Sequence, residues 1–342
     1  MAKLVGHTQA MDYADKRSFD QTPEPPPAVE GDVDPLTAPA GGTFVIHQHH
    51  ARRLHFDLRL EMRNGKFPVL VSWAVPKNLP LEKGRRALAV HVEDHPFEYG
   101  RFSGTIPAGN YGAGEVRIFD SGNYEMVKRE PGKLTFRLQG RRLKGIWHLV
   151  RTRQQEGKDD WLVIFSKWEG GDPQSPPPAT PMLATESDGA FDDPQWAFEP
   201  LWGGKRMIAV CRRDTRLVGS EGEGVVFEGA KLEKIHEHVV AIDAMVDGVV
   251  LENQSPQAFV AFDLLYMDGT SLTDLPYDER REMLEQAIVP ADFLQISPAV
   301  RNKGNSLMVA VQDQGLNGIV AKKRSSIYKP GGRSKSWLKI SR

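Results

Sequence analysis

The chain has 342 residues, of which 40% are hydrophobic and 26% are charged, with a net charge of −1. This length predicts about two domains, and this apolar fraction suffices for ordinary folded cores, which excludes wholesale disorder. The single cysteine, Cys211, excludes a disulfide framework and a cysteine-rich zinc site.

No apolar run approaches the roughly 20 residues of a membrane helix. The N-terminal sequence MAKLVGHTQAMDYADKR lacks the apolar segment of a signal peptide, so we expect a soluble, cytoplasmic protein. Charge is uneven, with 25 Lys and Arg against 21 Asp and Glu in residues 1–170, and 19 against 24 in residues 171–342. The basic first half permits a polyanionic ligand, but a solvated surface of mixed charge explains the same totals.

The first 42 residues are predicted to be an irregular N-terminal arm, because TPEPPP favours extended backbone and a Gly-Gly pair ends the segment. Residues 43–168 then alternate short apolar and polar runs between Gly and Pro, among them FVIHQH, LHFDLRLE, LVSWAV, ALAVHVEDH, GEVRIFD, LTFRLQG and WLVIFSKW. Short strands at this density predict a mostly β domain, either a sandwich or a barrel.

Residues 169–181 are predicted to be a linker, since seven of these thirteen residues are Gly or Pro. Residues 182–342 mix strand patterns with helical ones. Helices are predicted over residues 231–240 and 277–287, and the mixture favours an α+β domain.

A strand predicted over residues 54–61 alternates polar and apolar side chains. Since successive side chains of a strand point to opposite faces, His55, Asp57, Arg59 and Glu61 share one face. The leucines and the phenylalanine between them share the other face and are predicted to pack into a core.

Two further segments repeat this pattern. His47 and His49 share a face in residues 44–49, and His91, Glu93 and His95 share a face in residues 88–95. If the three strands are neighbours, several imidazoles and carboxylates meet beside the arginine of the first strand.

Neutral imidazole and carboxylate ligands suit Mn, Zn or Fe(II). An arginine beside such a metal indicates an anionic substrate, most naturally a phosphate held by charge-assisted hydrogen bonds. The alternative is that these are solvent-facing histidines on a half-exposed sheet. Their occurrence in phase on three segments counts against that alternative, but periodicity by itself leaves both interpretations open.

Several motifs of the first half, in this order, resemble the 3'-phosphoesterase module of bacterial ligase D and its stand-alone homologues: KRSFDQTPEP, FVIHQHHARRLHFDLRLE, SWAVPK, LAVHVEDHPFEYGRFSGTIPAGNYGAGEVRIFD and LKGIWHLVR. The resemblance covers roughly residues 12–168. It implies a compact β-barrel that uses manganese to process DNA ends. In that family a 3'-terminal ribonucleoside is removed first and the remaining 3'-phosphate second, which leaves a 3'-OH.

The resemblance also implies roles for residues at matching positions. The implied metal ligands are His49, His55 and Asp57. The implied catalytic residues are Arg59, His95, Lys77, Glu93 and Tyr99. The implied phosphate- or DNA-binding residues are Arg17, Glu24, His47 and Arg53, the first two on an arm that folds over the site. Arginine and lysine can offset transition-state charge, whereas His95 can either stabilise that state or act as general acid toward the leaving oxygen.

Three positions depart from the family's motifs. His47 stands where the family often has glutamine, Ser18 stands where it has aspartate, and Ala87 stands where an arginine is common. The aspartate supports the ribonucleoside step in the family, so we expect Ser18 to weaken that step.

Residues 182–342 resemble the nucleotidyltransferase domain of ATP-dependent DNA ligases, through the motifs MLAT, FEPLWGGKR, VDGVV, AFDLLYMDG, LNGIVAKKRSSIY and WLKISR. The resemblance implies an α+β adenylation fold. The chain ends at the last of these motifs, so we expect no OB-fold domain after it.

Positions that carry the ligase reaction in that family are changed in this chain. The changed positions are Leu201, Gly203, Glu221, Val249, Asn317 and Ser341. Leu201 replaces the lysine whose amine attacks the α-phosphate of ATP, a group that this covalent chemistry requires. Lys205 lies about 13 Å farther along a strand, too far to substitute for it. We therefore predict no ligase activity and no use of ATP.

The C-terminal stretch is rich in basic residues interleaved with aromatic ones, including Lys322, Lys323, Arg324, Tyr328 and Trp337. This pattern suits contact with a phosphate backbone. A solvated basic tail inherited from the ligase fold explains it equally well.

These features predict a manganese-dependent 3'-phosphoesterase that acts on DNA 3' ends in repair by non-homologous end joining, fused to a catalytically degenerate ligase-like domain. Expected partners are primer-template or broken DNA ends, with Ku, a repair polymerase or a separate ligase as further candidates. The alternatives are a non-catalytic DNA-end-binding or scaffold protein and an active ligase that uses Lys205.

Overall fold

The structure is a computed structural model that describes residues 13–27, 31–76, 78–155, 158–170, 176–178, 180–219, 224–225, 231–251 and 257–341. The chain divides into two compact units, Met1–Asp172 and Pro173–Arg342, so the division falls within the Gly- and Pro-rich segment. In these described ranges, no helix has both the length and the apolar character needed to cross a membrane.

The described part of the first unit contains nine strands and two short 3₁₀ helices. The strands are β1 Ala40–His50, β2 Leu54–Asn64, β3 Phe67–Pro76, β4 Arg86–Pro96, β5 Gly104–Ile106, β6 Gly114–Glu130, β7 Lys133–Gly140, β8 Lys144–Gln155 and β9 Lys158–Trp168. The 3₁₀ helices are Ala14–Lys16 and Phe97–Arg101.

Eight of these strands close into a barrel. β1 to β4 pair in chain order, β4 pairs with β9, and the order returns through β8 and β7 to β6. Antiparallel pairing of β6 with β1, from Thr43 opposite Asn123 to His50 opposite Glu115, closes the ring. Closure leaves the ring without a free sheet edge. The predicted mostly β fold is therefore confirmed, and of the two predicted architectures it is the barrel.

The apolar face of β2 packs into the barrel core, as its alternation predicted. Leu58 and Leu60 are fully buried, as are Trp73, Trp147 and Trp161. Burial contributes about 25 cal/mol per Å² of apolar surface, so side chains of this size make the main favourable contribution to barrel stability.

Two segments cover the polar face of β1 to β4. Tyr13 of the N-terminal arm and Tyr99 of the second 3₁₀ helix pack against Val45 and Leu70 of the sheet. This cover buries polar side chains that would otherwise lie on an exposed sheet face, including Arg59 at 3% exposure. The interpretation of a half-exposed sheet with solvent-facing histidines is therefore wrong for this face.

The face assignment for β4 is also wrong, because β4 contains a bulge. Leu70 of β3 lies opposite His95, but Ser72 lies opposite Val92, so β4 has one extra residue between the two pairs. An extra residue reverses the alternation of side chains along the strand. His95 therefore lies on the polar face, whereas His91 lies on the opposite face against the core tryptophans.

β1 begins earlier than predicted, at Ala40 instead of Thr43. The Glu61 carboxylate of β2 accepts hydrogen bonds from the backbone N–H groups of Gly42 and Thr43, at 3.3 and 3.1 Å. A Cβ atom at Gly41 would lie 2.3 Å from the Glu61 side chain. The Gly-Gly pair therefore extends the strand by admitting this carboxylate, instead of ending an irregular segment.

The described part of the second unit contains twelve strands, two α-helices and one 3₁₀ helix. The strands are β10 Leu183–Glu186, β11 Trp196–Pro200, β12 Lys205–Cys211, β13 Thr215–Val218, β14 Gly224–Val225, β15 Ala244–Leu251, β16 Ala258–Met267, β17 Thr270–Ser271, β18 Leu294–Ile296, β19 Val300–Arg301, β20 Gly318–Lys323 and β21 Arg333–Ser341. The helices are the 3₁₀ helix Lys231–His238, α1 Tyr277–Ala287 and α2 Gly304–Asp313.

These strands form two sheets, in the orders β10-β21-β20-β11-β19 and β14-β13-β12-β15-β16-β17, with β18 paired to β16. The predicted α+β class is confirmed for this unit. The helix predicted over residues 277–287 is α1, with the same bounds. The helix predicted over residues 231–240 is shorter and is a 3₁₀ helix.

Helix α1 is fixed to its sheet by a buried ion pair. Arg280 donates two hydrogen bonds to the Asp263 carboxylate of β16, both at 2.8 Å, and both side chains are fully buried. The same guanidinium donates to the backbone carbonyl of Ser326, at 3.0 Å. Replacement of only one partner of such a pair strongly destabilises a protein, because the remaining charge stays buried without a partner.

Barrel closure beside the polar face depends on Gly114. Its φ is +143°, and a Cβ atom there would lie 2.2 Å from the backbone carbonyl oxygen of His50. We expect Gly114→Ala to lower the free energy of unfolding of the first unit by at least about 3 kcal/mol, measured by urea denaturation of the full chain.

Gly65→Ala is the matched control, because Gly65 has a φ of +59° and a Cβ atom added there would have no other atom within 4 Å. It should cost only about 1–2 kcal/mol. If the free energy of unfolding falls equally in the two variants, the steric overlap at Gly114 is relieved without an energetic cost.

Candidate metal and phosphate site

Adjacent strands bring the three predicted metal ligands together. His49 of β1 lies opposite His55 of β2 in the strand register, and Asp57 follows two residues later on the same face. One ligand atom from each residue lies within 4.8 Å of the others. His49 Nδ1 is 3.8 Å from Asp57 Oδ2, and His55 Nε2 is 3.5 Å from Asp57 Oδ1.

Backbone carbonyls fix which nitrogen of each imidazole faces the carboxylate. His49 Nε2 donates to the Gly112 carbonyl at 2.8 Å, and His55 Nδ1 donates to the Arg53 carbonyl at 3.0 Å. Because a carbonyl only accepts, a neutral imidazole at either position turns its lone pair toward Asp57, on Nδ1 of His49 and on Nε2 of His55. This is the hydrogen bonding that metal-binding histidines commonly have.

The carboxylate of this group is held in its charged form. Burial opposes ionisation of Asp57, but the Arg59 guanidinium 3.0 Å away keeps the pKa of the carboxyl well below its usual range. Two imidazole nitrogens and one ionised carboxylate form a donor set that fits Mn, Zn or Fe(II).

Arg59 connects this group to the rest of the polar face. Its Nε donates to His47 Nδ1 at 3.2 Å, its Nη1 to Ser72 Oγ at 2.8 Å and its Nη2 to Asp57 Oδ2 at 3.0 Å. The guanidinium also lies 4.9 Å from the ring centroid of Tyr99. A guanidinium has five N–H groups, so two remain beyond these three described hydrogen bonds.

The contacts of His47 differ from the predicted phosphate binding. The residue is fully buried, its Nε2 donates to the Phe102 carbonyl at 3.1 Å, and its Nδ1 accepts from Arg59. Burial, reinforced by the charge of Arg59, lowers the pKa of His47 to about 3. A neutral imidazole with both nitrogens engaged positions the arginine, and the predicted phosphate contact of His47 stays a prediction.

His95 presents one nitrogen to the site. Its Nδ1 donates to the backbone carbonyl of Glu93 at 2.9 Å, and its Nε2 lies 3.5 Å from Nη2 of Arg17. The rings of Tyr13 and Tyr99 flank it at centroid distances of 4.9 and 4.8 Å. Burial and the charges of two nearby arginines hold the pKa of His95 well below its usual value. The imidazole is therefore neutral, and Nε2 carries a lone pair.

Two carboxylates hold the N-terminal arm over the site. Arg17 Nε donates to Glu24 at 2.9 Å, and Arg17 Nη1 donates to Glu93 at 3.3 Å. Lys16 also binds Glu93, at 2.9 Å. In this structure Glu24 and Glu93 position Arg17, the arm cation beside Nε2 of His95. The predicted catalytic role of Glu93 and the predicted DNA contact of Glu24 stay predictions.

Some predicted residues stay untested, and two residues of the site were not predicted. Lys77 lies outside the described residues, so its predicted catalytic role stays a prediction. The Arg53 side chain is exposed, and its predicted DNA contact likewise stays untested. Ser72 was missed, although it is a lone polar residue in the apolar run LVSWAV. Gly112 was also missed, because a backbone acceptor leaves no side-chain signal.

In the second unit, the position of the ligase nucleophile lies at the end of a strand. Leu201 follows β11, and its backbone N–H donates to the Gly318 carbonyl at 2.9 Å. Gly203 is two residues farther, Asn317 immediately precedes β20 and Ser341 ends β21. Glu221 lies outside the described residues.

Val249 of β15 lies in an apolar cluster where the family has a carboxylate. The cluster contains Leu251, Val260 and Phe262, with Trp202 packed against it. The Val249 side chain is thus part of an apolar contact, and the predicted loss of a catalytic carboxylate at this position stays a prediction.

Lys322 is the buried amine of this unit. Its Nζ is 2.7 Å from Glu199 and donates to the Phe262 carbonyl at 3.2 Å. The rings of Phe262 and Trp337 flank the ammonium at 4.5 and 4.4 Å. Burial lowers the pKa of Lys322. Lys322 is 1% exposed.

The basic C-terminal stretch is not one free cationic surface. Lys322, Tyr328 and Trp337 are buried, and Arg324 pairs with Asp278 at 2.6 Å. Burial removes Lys322, Tyr328 and Trp337 from contact with a DNA backbone, whereas the Arg324 side chain keeps 34% exposure. Contact of the other basic residues with DNA stays a prediction.

Comparison with known proteins agrees with the two resemblances. Residues 47–151 match the family described as the DNA Ligase D 3'-phosphoesterase domain, and residues 201–341 match the ATP dependent DNA ligase domain. The multifunctional non-homologous end joining protein LigD of Mycobacterium bovis is 38% identical over 96% of this chain and 44% of that protein. LigD of Mycolicibacterium smegmatis is 38% identical over 96% of this chain and 45% of that protein.

The chain spans less than half the length of these relatives. Among solved structures, mycobacterial DNA ligase D complexed with ATP and MES is 29% identical over 48% of this chain and 60% of that chain, with a TM-score of 0.42. The two sequence matches confirm the resemblance of the first unit to the 3'-phosphoesterase module and of the second unit to the ligase domain.

His47 makes the stability of the first unit dependent on pH. Its pKa is about 3 in the folded state against the ordinary histidine value of 6.5 in the unfolded chain, so the unfolded state binds more protons between these two values. The contribution of His47 to the free energy of unfolding is fully present above pH 6.5 and is lost as the pH falls toward 3. At pH 5 the loss is about 2 kcal/mol.

We expect His47→Gln to remove this part of the acid sensitivity, because a glutamine can accept from Arg59 and donate to Phe102 without titrating. The measurement is the free energy of unfolding in EDTA at pH 7 and pH 5. If the free energy of unfolding falls by the same amount between pH 7 and pH 5 in the wild-type chain and in the variant, the assignment of His47 as a buried neutral imidazole is wrong.

Proposed function

Because residues 47–151 form a 3'-phosphoesterase domain of the DNA ligase D type, we propose that the chain is a manganese-dependent phosphoesterase that acts on DNA 3' ends. The observation that carries this proposal is the position of Asp57. Its carboxylate contacts the two histidines of the metal-ligand group and also the buried arginine, so a metal and a phosphate are bound side by side.

His49, His55 and Asp57 would hold the metal, which supplies polarisation of phosphoryl oxygens and a lowered pKa of bound water. The remaining N–H groups of Arg59 bind a non-bridging phosphate oxygen. Because Ser72 and His47 fix the guanidinium before substrate arrives, little reorganisation accompanies charge development in the transition state. Phosphoryl transfer depends mainly on such positioning and charge stabilisation.

His95 has two roles open to it in this proposal. In the free protein, burial and the charges of Arg59 and Arg17 keep its imidazole neutral. A bound phosphate would offset those two charges and so favour protonation. A protonated Nε2 would donate its proton to the leaving 3'-oxygen, whereas a neutral imidazole would only stabilise the transition state.

Removal of a 3'-terminal ribonucleoside is the weaker of the two activities in this proposal. Ser18 stands on the arm at the position of the family's aspartate, and its side chain is exposed. A hydroxyl cannot supply the charge of that carboxylate. Removal of a 3'-phosphate does not depend on this position.

The second unit is proposed to lack ligase activity. Leucine replaces the lysine nucleophile, and the buried amine of Lys322 is committed to Glu199 and to a backbone carbonyl. Without an amine at the position of Leu201, no covalent nucleotide intermediate forms in this proposal and ATP is not used.

The relatives named for non-homologous end joining support a role in the same repair process. We propose that the substrates are primer-template and broken DNA 3' ends in the cytoplasm of a bacterium or an archaeon. Ku, a repair polymerase and a separate ligase are the proposed protein partners.

The test of the proposed activity is an end-processing assay. A primer-template that ends in a 3'-phosphate should be converted to a 3'-OH in Mn²⁺ and not in EDTA. We expect His49→Ala and Asp57→Ala to lower the rate by more than about 100-fold, since loss of an outer partner of a metal ligand alone costs about 10- to 100-fold. A second substrate that ends in one ribonucleotide should react more slowly.

His148→Gln is the matched control, because His148 lies on β8 and bonds Thr135, outside the metal-ligand group. Its activity should equal that of the wild-type chain. If both ligand variants keep full activity, the site assignment is wrong. If folded, metal-loaded wild-type protein converts neither substrate, the chain is a DNA-end-binding or scaffold protein instead.

The second test concerns the ligase-like unit. After incubation with ATP and Mg²⁺, intact-protein mass spectrometry should find no lysine–AMP adduct. An adduct that disappears in Lys205→Ala would show that this lysine has replaced Leu201 as nucleophile. An adduct that disappears in Lys322→Met would show instead that the buried amine becomes accessible.

A further inference from the structure

An exposed tyrosine stands at the edge of the metal and phosphate site. Tyr111 lies between β5 and β6, and 49% of its surface is exposed. Among the described residues, Phe67 at 38% is the other large exposed aromatic side chain, and it lies at the β2–β3 turn. That turn is at the far end of β2 from His55.

The backbone next to Tyr111 is fixed against a metal-ligand candidate. The carbonyl of Gly112 accepts the hydrogen bond from His49 Nε2, at 2.8 Å. Gly112 has a φ of +71°, and a Cβ there would lie 3.6 Å from His49 Cε1. The chain therefore runs directly against the imidazole, and the ring of Tyr111 is one residue away.

On its other side the ring meets the cations of the N-terminal arm. Lys16 Nζ lies 5.1 Å and Arg17 Cζ lies 5.2 Å from the ring centroid. Arg17 is also the residue whose Nη2 lies 3.5 Å from His95 Nε2. Tyr111 thus lies next to both sides of the site, the side with the metal-ligand candidates and the side with His95.

We propose that the ring of Tyr111 is the stacking surface for the nucleobase of the nucleotide whose 3'-oxygen carries the scissile phosphate. This inference rests on the proposed function, because it places that phosphate between His49 and His95. The base attached to the same nucleotide then reaches the rim of the site, where the exposed ring lies.

Stacking on an aromatic side chain accepts any base, because every base has a π-face. The adjacent lysine and arginine offset the negative charge of the phosphates as the base stacks. The subsite therefore distinguishes a terminal nucleotide that has a base from one that lacks it, and it does not read base identity.

A purely structural role makes a different prediction. If the ring only holds Lys16 and Arg17 in place through cation–π contacts, its loss weakens binding of every substrate by the same factor. If the ring stacks on the base, its loss matters only when the base is present. The two effects separate when the terminal base is removed from the DNA.

The experiment compares two primer-templates with a 3'-phosphate, one with a normal terminal nucleotide and one with a tetrahydrofuran abasic terminal residue. Dissociation constants are measured by fluorescence anisotropy in EDTA, and cleavage is measured in Mn²⁺. In the wild-type chain, loss of the base should raise Kd by about 5- to 100-fold, the range expected for stacking on one aromatic ring.

In Tyr111→Ala, the normal substrate should already show this raised Kd, and loss of the base should change it less than about twofold. Tyr111→Phe should behave as the wild-type chain does, because it keeps the ring. Phe67→Ala, the matched exposed aromatic with a lysine 5.3 Å from its ring, should also behave as the wild-type chain does.

The inference is overturned if Tyr111→Ala raises Kd equally for both substrates, or if the wild-type chain does not distinguish them. Tyr111→Leu provides a second variant with a side chain of substantial volume but no π-face, in case the alanine variant fails to fold. Absence of cleavage by wild-type protein contradicts the proposed function instead, and the anisotropy data still decide whether Tyr111 stacks on the base.

Discussion

The site of the first unit depends on one buried charge, the guanidinium of Arg59. A buried cation is tolerated only when its N–H groups and its charge find partners. Asp57 supplies the opposite charge, and Ser72 and His47 accept from two further N–H groups. The same charge keeps Asp57 ionised, and burial together with this charge keeps His47 neutral. Arg59 thereby keeps the carboxylate of the metal-ligand group ionised. The hydrogen bonds that it donates hold its own guanidinium in the orientation needed to bind a phosphate.

The N-terminal arm places further positive charges on the same face, and these charges also need compensation. Arg17 and Lys16 bring positive charge close to Arg59, which without compensation would repel them. Glu24 and Glu93 provide that compensation, and both residues are buried. The arm can therefore close over the polar face with a cation beside His95. Tyr13 and Tyr99 complete the cover by packing around that imidazole.

In the second unit, the residues that stabilise the fold differ from those at the positions that carry the reaction in ATP-dependent DNA ligases. Its sheets and α1 are held by buried pairs such as Arg280 with Asp263 and Lys322 with Glu199. These pairs resist change, because the loss of one partner leaves a buried charge. Leu201 and Val249 carry no such constraint, so an apolar residue at either position leaves the packing intact. This difference explains how apolar residues are accommodated at positions 201 and 249 without loss of the fold.

The sequence by itself determined the strands and most of the site residues, because alternation along an unbroken strand dictates which side chains share a face. In β2 it correctly placed His55, Asp57 and Arg59 together, and family motifs indicated His49 and His95. It did not reveal the bulge in β4, which moves His91 to the other face, since a bulge is set by pairing with β3. Nor did it reveal the use made of His47, Glu24 and Glu93. Only the tertiary structure decided that these residues pair with arginines, because burial and neighbours in space, and not residue type, determine what a charged or polar group contacts.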